Sequence, residues 1–115
     1  MGETRRGGCL CGAVTYELNG PLRPMIVCHC IQCRKMSGHF TAATQSLASD
    51  VEIKGDPLKW YRSSDVAERG FCATCGSTMF WRRFDNPRIS IYAGTLDGET
   101  GLRESAQIHV GTKGD

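Results

Sequence analysis

Seven cysteines are the residues best able to do chemistry in this 115-residue sequence. Four of them form two short pairs, each followed at once by a glycine: Cys9-Leu10-Cys11-Gly12 and Cys72-Ala73-Thr74-Cys75-Gly76. Glycine accepts the positive φ that turns backbone N–H groups toward sulfur, which stabilises thiolates around a cation. Two such pairs supply the four sulfurs of a tetrahedral zinc site. We therefore predict a structural zinc held by these four cysteines.

The other three cysteines crowd into one hexapeptide, as Cys28, Cys30 and Cys33. Three protein ligands leave a fourth position open to water or substrate, which is the arrangement of a reactive zinc. The sequence therefore predicts a second, catalytic zinc at this cluster. The residues that follow include a basic pair, which could offset thiolate charge and attract a carboxylate. The candidate substrate-binding residues are Arg34, Lys35 and Ser37.

Several alternatives remain open at this second cluster. His29 could be a fourth ligand that closes the site, and the basic pair could belong to a solvated turn. Cys30 or Cys33 could instead be a redox thiol, because a Cys-x-x-Cys spacing near cations lowers the thiol pKa. We expect no catalytic role for His39 or His109. The aspartates show no pairing that would indicate an acid–base dyad.

The composition excludes several classes of protein. An odd number of cysteines and an N-terminal stretch unlike a signal peptide argue against a disulfide framework and favour a reducing cytoplasm. The net charge of +2 and a pI near 8.2 argue against nucleic-acid binding. No apolar run approaches the roughly 18 residues that a membrane span requires.

Short β-rich runs between turn residues predict an all-β fold in a single domain over residues 1–115. The expected strands are 13–18, 25–29, 40–45, 51–53, 58–62, 78–82, 88–93 and 107–110. One short helical turn is expected over 32–37, and a polar loop over 98–105. The aromatic residues of these strands are expected mainly in the core.

Three blocks of the sequence resemble a known family: Gly8-Cys9-x-Cys11-Gly12-x-Val14-x-Tyr16, Cys28-His29-Cys30-x-x-Cys33-Arg34-Lys35-x-Ser37-Gly38 and Phe71-Cys72-x-x-Cys75-Gly76-Ser77. The pattern is similar to that of the glutathione-dependent formaldehyde-activating enzyme (GFA) and centromere protein V family. The resemblance implies an Mss4-like fold of coiled, folded β-sheets. It also implies one structural and one catalytic zinc, with the cysteines divided as above.

The resemblance implies a carbon–sulfur lyase-type activity that joins formaldehyde to the thiol of glutathione, giving S-hydroxymethylglutathione. A dication suits this addition, because it stabilises a thiolate or polarises an aldehyde oxygen. Members of the family commonly continue past a His-x-x-x-Lys stretch. Here Lys113 is followed only by Gly114 and Asp115, so we expect a chain that is either short or truncated at this end.

Two other functional hypotheses compete with the enzyme. The chain could be a zinc-stapled binding module for a protein or a nucleic acid, whose metals serve only folding. It could also be a thiol redox or metal-buffering protein. An exchangeable ligand on the second zinc would favour the enzyme. The oligomeric state and the physiological thiol and aldehyde stay open.

Overall fold

A computed structural model describes residues 4–115, and most of its regular structure is β-strand. The strands are β1 Arg5–Gly8, β2 Thr15–Leu18, β3 Met25–Cys28, β4 Thr41–Leu47, β5 Val51–Lys54, β6 Leu58–Arg62, β7 Ala67–Cys72, β8 Thr78–Arg83, β9 Arg88–Tyr92 and β10 Glu104–Ile108. The helix α1 spans Ile31–Ser37, and single 3-10 turns occupy Ala48–Asp50, Ala93–Thr95 and Val110–Thr112. The predicted all-β fold class is confirmed.

The strands form two sheets. The smaller has the order β1-β2-β5 and is antiparallel throughout. The larger has the order β10-β3-β4-β9-β8-β7-β6, in which β10 runs parallel to β3 and the other neighbours are antiparallel. The segment that carries Cys28, Cys30 and Cys33 connects β3 to β4 and includes α1.

The main apolar core joins β2 of the small sheet to β8 and β9 of the large one. Tyr16 and Leu18 are buried while their strand neighbours are exposed, which is the alternation of a strand covered on one face. The Tyr16 ring meets Phe80 edge to face at 5.4 Å, and its hydroxyl lies 2.7 Å from Thr95 Oγ1. Cys9 and Cys72 belong to the same buried cluster, so the core also positions two candidate metal ligands.

The structure corrects the sequence prediction in several places. β1 and β7 were not predicted, because the first contains two arginines and two glycines and the second lacks a two-residue alternation of buried positions. The predicted loop over 98–105 is wrong at its end, since β10 begins at Glu104. Tyr61 was expected in the core, but its side chain is exposed.

Helix α1 agrees with the predicted helical turn to within one residue. It begins after Cys30, whose sulfur accepts a hydrogen bond from the Cys33 backbone N–H at 3.3 Å. It ends at Gly38, whose φ of 97° closes the last turn without the steric cost of a Cβ. Within residues 4–115, no helix has the length and apolar character needed to cross a membrane.

Because Phe80 is fully buried where the two sheets meet, Phe80→Ala is expected to lower the free energy of unfolding by about 3–5 kcal/mol. The matched change Tyr61→Ala, on an exposed side chain, is expected to cost less than about 0.5 kcal/mol. Denaturant unfolding of both variants at equal metal content measures the difference. Equal losses would contradict the assignment of the core.

Candidate functional site

The four-cysteine group, Cys9, Cys11, Cys72 and Cys75, is assembled by two turns from distant parts of the chain. The first turn follows β1 and the second follows β7. Gly12 and Gly76 each have a φ of 82°, so both turns use the positive φ that the sequence pattern indicates. Their backbone N–H groups donate to Cys9 O at 3.1 Å and to Cys72 O at 2.7 Å, respectively. The first hydrogen bond joins residues three apart and the second joins residues four apart, because one residue separates the first two cysteines and two residues separate the others.

The distances in this group fit a tetrahedral zinc ion. All four sulfur atoms lie within 4.8 Å of one another. Cys9 Sγ lies 3.6 Å from Cys11 Sγ, which lies 3.8 Å from Cys72 Sγ. Zinc–sulfur bonds of about 2.3 Å in a tetrahedron place the sulfurs about 3.8 Å apart, whereas a disulfide needs about 2.05 Å. The donor set and its spacing suit a metal and exclude a disulfide between these pairs.

The surroundings of this group stabilise thiolates. The Val14 N–H donates to Cys9 Sγ at 3.3 Å. Ser77 Oγ accepts from the Leu10 N–H at 2.9 Å and lies 3.2 Å from Cys75 Sγ, so its hydroxyl proton is free to point at that sulfur. Hydrogen bonds from the Ser77 side chain and backbone, and from the Cys11 backbone, lower the pKa of Cys75 to about 5.

Without a cation, the four thiols cannot all be ionised. The Ala13 backbone N–H lowers the pKa of Cys11, but burial and the three neighbouring sulfurs outweigh it and raise that pKa to about 11. A bound dication reverses this balance, because it attracts every thiolate in its coordination shell. The group is therefore built to be completed by a metal.

The three-cysteine group, Cys28, Cys30 and Cys33, lies at the junction of β3 and α1. Cys28 ends the strand, Cys30 precedes the helix, and Cys33 lies in its first turn. All three sulfur atoms lie within 4.8 Å of one another, so they could also hold a metal ion. Burial raises the pKa of Cys28 to about 12, which means that this thiol needs a cation to ionise near neutral pH.

Arg69 is a buried cation beside the three-cysteine group, and sequence analysis missed it. Its side chain lies on β7 and is 3% exposed. Nη2 donates to Cys33 Sγ at 3.7 Å and to Gln32 Oε1 at 3.2 Å, and Nη1 donates to the Tyr92 hydroxyl at 2.9 Å. Burial acts to raise the pKa of the Cys30 thiol. The hydrogen bonds from the Cys33 N–H and the neighbouring thiols and the charge of Arg69 together outweigh burial, so the pKa is lowered overall. Arg69 thus favours thiolates in this group.

His29 does not join the three sulfurs. The group whose ligand atoms all lie within 4.8 Å of one another contains Cys28, Cys30 and Cys33 without it. His29 is buried, and its Nε2 lies 2.8 Å from Gln107 Oε1 of β10. Its ring also packs against Phe40, with ring centroids 5.5 Å apart. The imidazole therefore contributes to packing between β3 and β10.

A cavity of about 460 Å³ opens beside the three-cysteine group, and all three of its cysteines line it. Much of the wall is apolar, with side chains from several strands and from α1: Ile26, Ile31, Val66, Trp81 and Ile108. Its charged lining side chains are Arg23 and Arg69, and among residues 4–115 no aspartate or glutamate lines it. Tyr92 also lines this space. The cavity can hold a small molecule against the three sulfurs.

The residues predicted to bind substrate lie elsewhere. Arg34 and Lys35 line a separate pocket beside His39 and the C-terminal residues, and Arg34 Nη1 donates to Thr112 O at 3.1 Å. Ser37 Oγ lies 2.6 Å from Cys33 O, where it caps the end of α1. The structure brings none of these three side chains to the cavity, and their contact with substrate stays a prediction.

Comparison with known proteins identifies the family. The sequence profile described as glutathione-dependent formaldehyde-activating enzyme matches residues 4–112. This chain belongs to that family. A Schizosaccharomyces pombe protein described as an uncharacterized lyase is 30% identical over 112 residues, which are 95% of this chain and 80% of that protein. The family membership predicted from the cysteine blocks is confirmed.

A solved structure supports the fold of this GFA-family chain. A crystal structure of a Rhodobacter sphaeroides protein matches it with a TM-score of 0.66 at 24% sequence identity. The match covers 87% of this chain and 99% of that one. Together with the all-β architecture and the cysteine groups, it supports the Mss4-like fold that the sequence indicates.

Cys72→Ser is expected to remove one metal ion per chain and to lower Tm by about 10 °C or more. Cys72 is fully buried in the core. A structural metal contributes several kcal/mol to the free energy of unfolding, and each kcal/mol raises Tm by roughly 4 °C in a chain of this size. Cys30→Ser is expected to remove one ion with a smaller loss of Tm, because Cys30 lies outside the core cluster. Elemental analysis and thermal unfolding measure both. Full metal content in Cys72→Ser would contradict the assignment.

Proposed function

We propose that this protein is a zinc-dependent carbon–sulfur lyase that adds a glutathione-like thiol to formaldehyde or a similar small aldehyde. The product would be the S-hydroxymethyl adduct, S-hydroxymethylglutathione where the thiol is glutathione. The observation that carries the proposal is the position of the three-cysteine group on the wall of an apolar cavity. The family description and the lyase relative support the same type of reaction.

We propose two zinc ions with different roles. Cys9, Cys11, Cys72 and Cys75 would hold a structural ion, because four sulfurs leave no position for a substrate and none of the four lines the cavity. Cys28, Cys30 and Cys33 would hold the catalytic ion. When bound there, zinc supplies the Lewis acidity that stabilises a thiolate at neutral pH and polarises an aldehyde.

The surrounding side chains complete the site for this chemistry. Arg69 offsets the negative charge of the thiolates, since its guanidinium contacts Cys33 Sγ. The apolar part of the wall lowers the local dielectric constant, which strengthens each electrostatic interaction beside it. The reaction forms the S–C bond as the carbonyl π bond breaks, and the thiol proton is finally carried by the new hydroxyl oxygen.

Tyr92 is the side chain placed to assist the aldehyde oxygen. Its hydroxyl accepts a hydrogen bond from Arg69 Nη1, so its own proton remains available to an oxygen bound in the cavity that Tyr92 lines. Burial is the main cause that raises the pKa of Tyr92 to about 12, so the hydroxyl stays protonated near neutral pH. A protonated donor at this place stabilises the negative charge that develops on the aldehyde oxygen.

We also propose that residues 1–115 act as one domain in the cytoplasm. One buried cluster spans the two sheets, which supports a single folding unit. Thiol groups arranged to bind metal require a reducing compartment, since oxidation would remove their ligand atoms. Among residues 4–115, the basic side chains on the cavity wall are Arg23, Arg69 and His109, too few for a nucleic-acid interface, which favours a small molecule there.

Exchange NMR on formaldehyde and glutathione tests the activity. Zinc-loaded protein in catalytic amounts is expected to raise the exchange rate several-fold above the spontaneous reaction. Cys30→Ser is expected to return it to that baseline while the circular dichroism spectrum persists, because the three-cysteine group loses a ligand. No acceleration by fully loaded protein would refute the glutathione assignment and favour the binding module.

Tyr92→Phe tests the hydrogen bond to the aldehyde oxygen. We expect the protein-dependent part of the exchange rate to fall by about 100-fold, the usual effect of removing one donor to a developing oxyanion. The zinc content should not change, since Tyr92 belongs to neither cysteine group. An unchanged rate at full zinc content would remove Tyr92 from the mechanism.

A further inference from the structure

The charges that line the cavity are unbalanced. Two arginines, Arg23 and Arg69, lie on its wall, and among residues 4–115 no carboxylate accompanies them. Arg69 already faces negative charge, because its Nη2 contacts the sulfur of Cys33. Arg23 has no comparable partner, since the ion pairs within residues 4–115 join other arginines to carboxylates: Arg6, Arg82 and Arg83. One cation on the cavity wall is thus left for a ligand.

The backbone of Arg23 is fixed against β4. Its N–H donates to Gln45 O at 3.1 Å, and its carbonyl accepts a hydrogen bond from Thr44 Oγ1. The proline that follows restricts Arg23 further to an extended conformation. The side chain therefore starts from a well-defined position, as a specificity-determining group requires.

The guanidinium of Arg23 is only partly satisfied by the protein. Nη2 donates to Ala43 O at 3.1 Å, and Nε donates to Pro24 O at 3.2 Å. A guanidinium has five N–H donors, so most of its capacity remains for a ligand. Partial burial lowers the pKa of Arg23, and the like charge of Arg88 acts in the same direction. An anion in the cavity would relieve both effects.

The sheet register relates the backbone oxygen that anchors this guanidinium to the three-cysteine group along the strand. Ala43, which anchors Nη2, pairs with Ile26, and Cys28 lies two residues further along the same strand. Two residues of a β-strand span about 7 Å. In extended glutathione, the thiol sulfur and the glycyl carboxylate are separated by about two residue lengths of chain, also about 7 Å. We therefore expect a ligand of that size to span from Arg23 to the three-cysteine group.

We propose that Arg23 binds a carboxylate of the thiol substrate, so that the cavity selects thiols with a carboxylate about 7 Å from the sulfur. In glutathione this group is the glycyl carboxylate. A cationic thiol such as cysteamine is disfavoured, because among residues 4–115 no carboxylate lines the cavity and its ammonium would lie near two arginines. The inference rests on the proposed function, of which it names the substrate class.

Calorimetric binding to zinc-loaded protein tests this selectivity without measuring turnover. The probes are glutathione and its glycyl monoethyl ester, which differ only in the proposed contact. Wild-type protein is expected to bind glutathione at least about 10-fold more tightly than the ester, and cysteamine more weakly still. Arg23→Gln is expected to bind the acid and the ester equally, and Arg23→Lys is expected to keep part of the preference.

Lys59→Gln is the matched control, because it removes one positive charge from an exposed position of β6 outside the cavity. It should bind both probes like the wild-type protein. Equal binding of acid and ester by wild-type protein, a preference retained in Arg23→Gln at full zinc content, or no binding of glutathione would each overturn the inference. Carboxylate selectivity without accelerated exchange would refute the proposed reaction and leave this binding site standing.

Discussion

The structure depends on bringing four sulfur atoms from two distant turns close enough to share one cation. Cys11 and Cys72 are 61 residues apart in sequence, yet their sulfurs lie 3.8 Å apart. Thiolates at this distance repel strongly, and protons can relieve the repulsion only in part. A dication removes it and closes a long loop, which ties the β1–β2 hairpin to the end of β7. Because Cys9 and Cys72 are buried in the apolar core, holding their sulfurs together also fixes this part of the core.

Strand β7 connects the four-cysteine group with the cavity. Gly70 and Cys72 lie toward the core, where a Cβ on Gly70 would come within 3.1 Å of the Trp60 ring, while Ala67 and Arg69 line the cavity. A strand covered on both faces has buried residues at odd and even positions. A metal bound by Cys72 would therefore also help to hold Arg69, three residues earlier, against Cys33.

The sequence predicts local features of this arrangement better than distant ones. Cysteines separated by one or two residues bring their sulfurs together locally, so both groups could be predicted from spacing. In the four-cysteine group, the glycine after each pair also defines the turn. Arg34 and Lys35 directly follow Cys33, but successive residues of a helix point about 100° apart, and the two side chains leave the cavity. Arg69 lies 36 residues from Cys33, and no local pattern relates them.

The charge proposed for the three-cysteine group gives a reason for a second arginine on the cavity wall. Three thiolates around a dication carry one net negative charge, which would repel an incoming thiolate. Arg69 cancels that charge at the contact with Cys33, so the reacting end of the cavity is close to neutral. Within residues 4–115, no carboxylate forms an ion pair with Arg23, so its charge is available to a ligand. Arg23 is partly buried, and an anionic thiol that brings a carboxylate with its sulfur would satisfy the guanidinium donors that the backbone contacts leave open.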